Sequence, residues 1–168
     1  MGWWSTDLMG GDSPLDWQGA LYDKLDIPYF DEDHTNVGTH DGISEIRPKE
    51  MSRTTQNNLI QYILDSTESS YEKYGECDSR SIGMQVLSLM ILKSGAKMTK
   101  KNKTELSKWI KLDEWGKEND ERKDHIDDLL NAIEKYDGKP MYYKGKGLFQ
   151  AIGEGLSGQK GSKGNGFI

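Results

Sequence analysis

The chain has one cysteine, Cys77, and four prolines among its 168 residues. A single cysteine excludes an intrachain disulfide and a thiolate zinc site, and it suits a reducing cytoplasm, whether of a bacterium or of an infected host cell. No run approaches the roughly 18 consecutive apolar residues that a membrane span needs. No signal peptide precedes the first acidic residue, Asp7, so no membrane partner is expected. Apolar residues make up only 34% of the chain against 30% charged, which implies a modest core under a heavily solvated surface. Neither H-E-x-x-H nor G-x-x-x-x-G-K-[ST] occurs, and three histidines scattered among many serines and aspartates specify no nucleophilic triad. No cofactor is expected.

The net charge of −6 is unevenly spread. Residues 1–50 hold 11 acids and 3 bases, residues 51–137 hold 16 and 14, and residues 138–168 hold 1 and 5. Nucleic-acid binding is disfavoured, because phosphate neutralisation needs clustered Lys and Arg in an unopposed field. Lys97, Lys100, Lys101 and Lys103 form one local exception, and Lys139, Lys144, Lys146, Lys160 and Lys163 another. Both are expected to be solvated loops.

Apolar periodicity predicts a mainly α-helical domain, an irregular bundle of about five helices, over residues 1–157. A glycine-rich C-terminal tail follows over 158–168. The first helix is expected to start at Ser13 as N-cap, with Pro14 at the first helical position and Asp16 closing a capping box. Trp17, Leu21 and Leu25 form its apolar stripe, and Pro28 marks its end. Residues 28–50 lack periodicity and are expected to form a long acidic loop. A helix follows near 53–67, with Leu59, Ile60, Ile63 and Leu64 on one face. Residues 80–93 are apolar on nearly every side, which marks a central buried helix closed by Gly95. Thr104 is expected to cap a helix carrying Leu106, Trp109, Ile110 and Leu112, and a last helix spans about Asp120–Tyr136 before Asp137-Gly138 and Pro140 stop it. Beyond that the chain becomes a Gly/Lys-rich extension in which Met141-Tyr142-Tyr143 can form a short strand and Phe167-Ile168 an apolar docking pair.

Chemistry-bearing residues are densest in the acidic loop, where Asp31, Asp33, His34, His40 and Asp41 fall within eleven positions. Carboxylates and imidazoles so close suit a divalent metal or a general acid–base pair, although the spacing matches no zinc template. Asp33, His34, His40 and Asp41 are the candidate ligands. His125, on an amphipathic helix beside three aspartates, is expected at an exposed or rim position, and Cys77 is expected to be structural. The tail glycines with Lys144 and Lys146 give a weak phosphate-cradle pattern.

The aromatics carry more. Trp17 and Trp109 sit on apolar helix faces and belong to the core, whereas Trp3, Trp4, Trp115, Tyr142 and Tyr143 are candidates for a binding surface, since aromatic anchors dominate protein interfaces. Trp115, between Glu114 and Gly116, is expected to be partly exposed.

The opening, Met1, Gly2, Trp4, Ser5, Thr6, then Asp12 and Leu15-Asp16-Trp17, resembles an uncharacterised family of short bacterial and phage proteins. Its members begin M-G-x-W-G-T-G and continue N-D-x-A-L-D-W. The likeness covers about the first 25 residues; Trp3 is extra, Ser5 replaces glycine, and Gly10-Gly11 replaces a polar-aromatic approach. It implies a helical domain and carries no activity.

Three functions are then expected, in order. The first is a small acidic non-catalytic protein that binds another macromolecule, of inhibitor or immunity type, with a protein as partner. The second is a metal-dependent hydrolase of phosphate esters or nucleotides working through residues 31–41. The third is a nucleotide-sequestering module. The sequence fixes no oligomeric state.

Overall fold

Residues 78–94 are the axis of the fold. In the computed structural model, which describes residues 2–3, 5–27, 46–74, 78–143 and 167, the chain is mainly helical: α1 (Asp12–Lys24), a 3-10 turn (Pro48–Met51), α2 (Arg53–Tyr74), α3 (Asp78–Ser94), α4 (Lys100–Ile110), α5 (Glu114–Glu118) and α6 (Asp120–Lys135). α3 touches α1, α2, α4 and α6. Met84, Val86, Leu87, Met90, Ile91 and Leu92 on it are all fully buried. Each such side chain contributes about 1.5–3 kcal/mol relative to exposure, so α3 organises the core. No described helix is long and apolar enough to cross a membrane.

The end of α3 is sealed by neighbours. Gly95 takes φ +75°, the left-handed cap that the sequence predicts. Met141 N donates to Leu92 O at 2.9 Å, and Tyr136 Oη donates to Ala96 O at 2.6 Å. Burial, with Asp137 nearby, pushes the Tyr136 hydroxyl up to about 12, so it stays a donor. At the same end, just past Ala96, fully buried Gln56 donates to Met51 O and Lys97 O, both at 2.9 Å, and accepts from Asn102 Nδ2 at 3.1 Å. One amide thus ties the 3-10 turn, α2 and α4 together. A Cβ at Gly83 would come within 3.1 Å of the Trp17 ring, so this glycine lets α1 lie close on α3.

Several boundaries differ from the sequence expectation, each for a local reason. α1 begins after Gly11, not Ser13: Asp12 N donates to Gly2 O and Gly2 N to Asp12 Oδ2, which fixes the helix start two residues earlier and leaves no side-chain cap. It ends at Lys24, ahead of Pro28, with Asp26 at φ +54°. α2 runs on past 67 to Tyr74. The expected lysine loop is helical. Thr99, rather than Thr104, is the N-cap, its side chain accepting from Asn102 N, so Lys100, Lys101 and Lys103 lie in the first turns of α4. α4 stops at Ile110, which leaves Leu112 in the connection to α5, a short helix that the periodicity did not announce. Tyr143 makes only an isolated bridge with Phe167 instead of a strand, and their rings lie 5.4 Å apart. Residues 28–45 of the expected acidic loop lie outside the described residues, as do all of 158–168 but Phe167.

Candidate functional site

The site grows from the segment before α1. Residues 2–12 double back, with Trp3 bridged to Gly11, Ser5 N donating to Gly10 O at 3.3 Å and Gly10 N donating to Asp7 O at 3.0 Å. A Cβ on Gly11 would sit 2.7 Å from the Trp3 ring, so only glycine lets the indole close on this turn. The fold-back sets Thr6, Asp7 and Leu8 against α6.

Arg122 meets them. It lies one turn into α6, which Asn119 caps by accepting from Arg122 N at 2.8 Å, and its side chain points inward and is fully buried. Nη1 donates to Asp7 O at 2.8 Å and Thr6 O at 3.3 Å. Nη2 donates to Gln85 Oε1 and Asp113 Oδ2, both at 2.9 Å, and Nε donates to the same Asp113 oxygen at 3.3 Å. Asp113 also caps α5 by accepting from Gly116 N at 2.8 Å, and Gln85 Nε2 donates to it at 2.8 Å. Desolvation pushes the Asp113 carboxyl up. The Arg122 charge and the hydrogen bonds from Gln85, Gly116 and Arg122 outweigh it and hold the carboxyl below its ordinary value.

Two indoles cover the guanidinium. The Trp3 and Trp115 rings lie 4.7 and 5.1 Å from Arg122 Cζ and 5.0 Å from each other, tilted by 60°. Trp3 is 37% exposed, and Trp115 is half-buried, as the sequence predicts. Trp3 therefore folds onto α5 and α6 as well as onto Gly11 at the start of α1.

One turn along α6, His125 is buried, which corrects the expected rim position. Its Nε2 lies 3.0 Å from Asp7 Oδ1, and its Nδ1 lies 3.1 Å from Tyr143 Oη, which accepts from Leu8 N at 2.9 Å. The contacts are complete when Tyr143 donates to Nδ1 and Nε2–H donates to Asp7. Burial, then the Asp7 charge, pushes the Tyr143 hydroxyl far up. Tyr143 is thus a core residue, 3% exposed, not the surface contact that its neighbour Tyr142, 37% exposed, can be. Carboxylate, imidazole and phenol form a chain that fastens the segment before α1 to α6 and to the chain after it.

Of the other candidates, Trp4, Asp31, Asp33, His34, His40, Asp41 and Cys77 lie outside the described residues, as do the tail glycines and lysines from 144 to 166. Among the described residues, no three His, Cys, Asp or Glu side chains are grouped to hold a metal. The sequence reading missed Arg122, Asp113 and Gln85. A faint signal was present: Ser81, Gln85 and Ser88 put a polar stripe at i, i+4 and i+7 on an otherwise apolar helix, and such a stripe needs buried partners.

No protein-family model, curated protein or solved structure matches the chain.

Proposed function

We propose that this chain works by binding another protein, as a non-catalytic module of inhibitor or immunity type, and that the likeness of its opening to bacterial and phage proteins reflects that origin. The supporting observation is the mounting of Trp3. A large indole stands 37% exposed, backed by Trp115 and by a guanidinium with no freedom to move. An aromatic held rigid before binding loses little entropy when a partner covers it, the property of an interface anchor. Around it acids predominate: Glu114, which pairs with Lys117 at 2.8 Å, and Glu118, Asp120 and Glu121 on α5 and the start of α6 are all exposed. A basic surface is the complement, and opposite charge both speeds and selects the encounter.

The test is affinity purification of the intact protein beside Trp3→Ala and Glu118→Lys/Glu121→Lys at low and high salt. A basic protein is expected to co-purify with the wild type, to fall away as salt rises, and to be lost from both variants. Partner profiles identical across the three proteins would end this reading.

A further inference from the structure

The surface between α4 and α6 differs from the aromatic site in shape and in charge. Lys103 Nζ, near the start of α4, donates to Glu134 O and Tyr136 O at the end of α6, so the two helices run antiparallel. They leave an open groove of about 910 Å³ between them. One wall is a single face of α4, with Lys100, Lys103, Lys108 and Lys111 toward its ends and the short side chains Thr104 and Ser107 at its middle. The floor is apolar, with half-buried Met98 and Leu130 beside Ile133. Asn131, Asp127 and Glu134 form the far wall. In a chain of net charge −6 this groove is locally positive. Asp127 is already taken by Lys123 at 2.8 Å, and Lys100, Lys108 and Lys111 have no carboxylate partner among the described residues.

We infer that this groove docks an acidic amphipathic helix of a partner protein. The length fits: Lys100 to Lys111 spans about 16 Å, or roughly three helical turns. The shape fits, because two antiparallel helices with small residues at the centre of one wall offer a seat for a third. The charge selects the sign and the side. Acids along one flank of the incoming apolar stripe meet the lysine wall, while the other flank meets Asn131 and Glu134 and must be neutral or basic. Among the described residues, α3, α4 and α6 bury their apolar faces in the core apart from Leu130, so these helices of a second copy are poor occupants. This docking site is separate from Trp3 and stands or falls without it.

The experiment uses the full-length protein and a fluorescent model peptide of about 16 residues, an amphipathic helix with leucines along one face and glutamates on one flank. Binding followed by anisotropy is expected to weaken about tenfold or more in Lys100→Glu/Lys108→Glu/Lys111→Glu, and likewise in Leu130→Glu. A peptide with lysines in place of the glutamates is expected to regain affinity for the triple lysine variant. Trp3→Ala should bind the acidic peptide as the wild type does. The triple variant changes exposed positions only, and circular dichroism of it should match the wild type. Equal binding of glutamate and glutamine peptides, no rescue by the lysine peptide, tighter binding of a single-stranded oligonucleotide of the same charge, or a dimer that the same substitutions dissociate would each overturn the inference.

Discussion

Arg122 Nη2 and Asp113 Oδ2 meet at 2.9 Å with side chains 0% and 4% exposed, and this one ion pair joins four parts of the chain. Through Asp113 it reaches the cap of α5, through Gln85 it reaches α3, and through the carbonyls of Thr6 and Asp7 it holds the segment before α1. A guanidinium suits that position because its planar fork aims several donors in fixed directions, which an ammonium cannot do.

Removing one partner should therefore cost far more than removing both. Arg122→Met leaves a buried carboxylate unpaired and is expected to lose about 3–5 kcal/mol, enough to unfold a marginal domain. Arg122→Met with Asp113→Leu should recover a large part of the loss. Urea midpoints of the two single variants and the double variant check this; additive losses would contradict a closed pair.

The same pair sets an acid limit. In the unfolded chain the Asp113 carboxyl titrates near its ordinary value of about 3.9. In the fold it titrates lower, because the charge and hydrogen bonds of its partners overcome its desolvation. The folded state then binds fewer protons than the unfolded state in this range, so the stabilisation is present above about pH 4 and is lost as pH falls through the lowered value. The stability gap between wild type and Asp113→Asn should shrink steadily from about pH 5 toward pH 2. A gap that stays constant over that range would show that the carboxylate charge contributes nothing.

The clasp before α1 can be probed one atom at a time. Tyr143→Phe removes the hydroxyl that accepts from Leu8 N and faces His125, which leaves two buried polar groups without a partner, and it should cost about 1–3 kcal/mol. Thr6→Val should behave in the opposite way. Thr6 Oγ1 is buried and makes no hydrogen bond among the described residues, so replacing it with a methyl is expected to be neutral or to stabilise by up to about 1 kcal/mol. Hydrogen exchange over residues 5–12 separates the two: faster in Tyr143→Phe, unchanged or slower in Thr6→Val.

Helix type and core were legible because they depend on spacing along one element. The all-round apolar run became α3, and of the stripe Ile126, Leu129, Leu130 and Ile133 that the sequence offers over 120–136, all but half-buried Leu130 lie buried on the inner face of α6. The site was not legible, because its members are separated by as many as 116 positions and only the fold joins them. His125 shows the limit. Its helix neighbours Asp124, Asp127 and Asp128 announce a solvent face, yet His125 itself falls on the inner face next to Ile126 and Leu129. What sequence could offer was choice of residue: the chain uses arginine at only four positions, and two of them, Arg80 and Arg122, are buried and lie against tryptophans. Where lysine covers the surface, an arginine inside a helix deserves a search for its partners.

The first turn of α4 is charged against its own helix. It holds Lys100, Lys101 and Lys103 and no acid, at the end where the helix dipole is positive. Lys103 has a structural task, since it reaches the last carbonyls of α6, but Lys100 has none among the described contacts. Lys100→Glu should therefore raise stability, by about 0.3–1 kcal/mol at low salt and less as salt rises. If it does, while the acidic peptide binds the same variant more weakly, then Lys100 is placed for what enters the groove at some expense to the helix. If stability falls instead, the lysine serves the fold, and its place on the groove wall is incidental. Urea unfolding at two salt concentrations, beside peptide anisotropy on the same sample, decides between them.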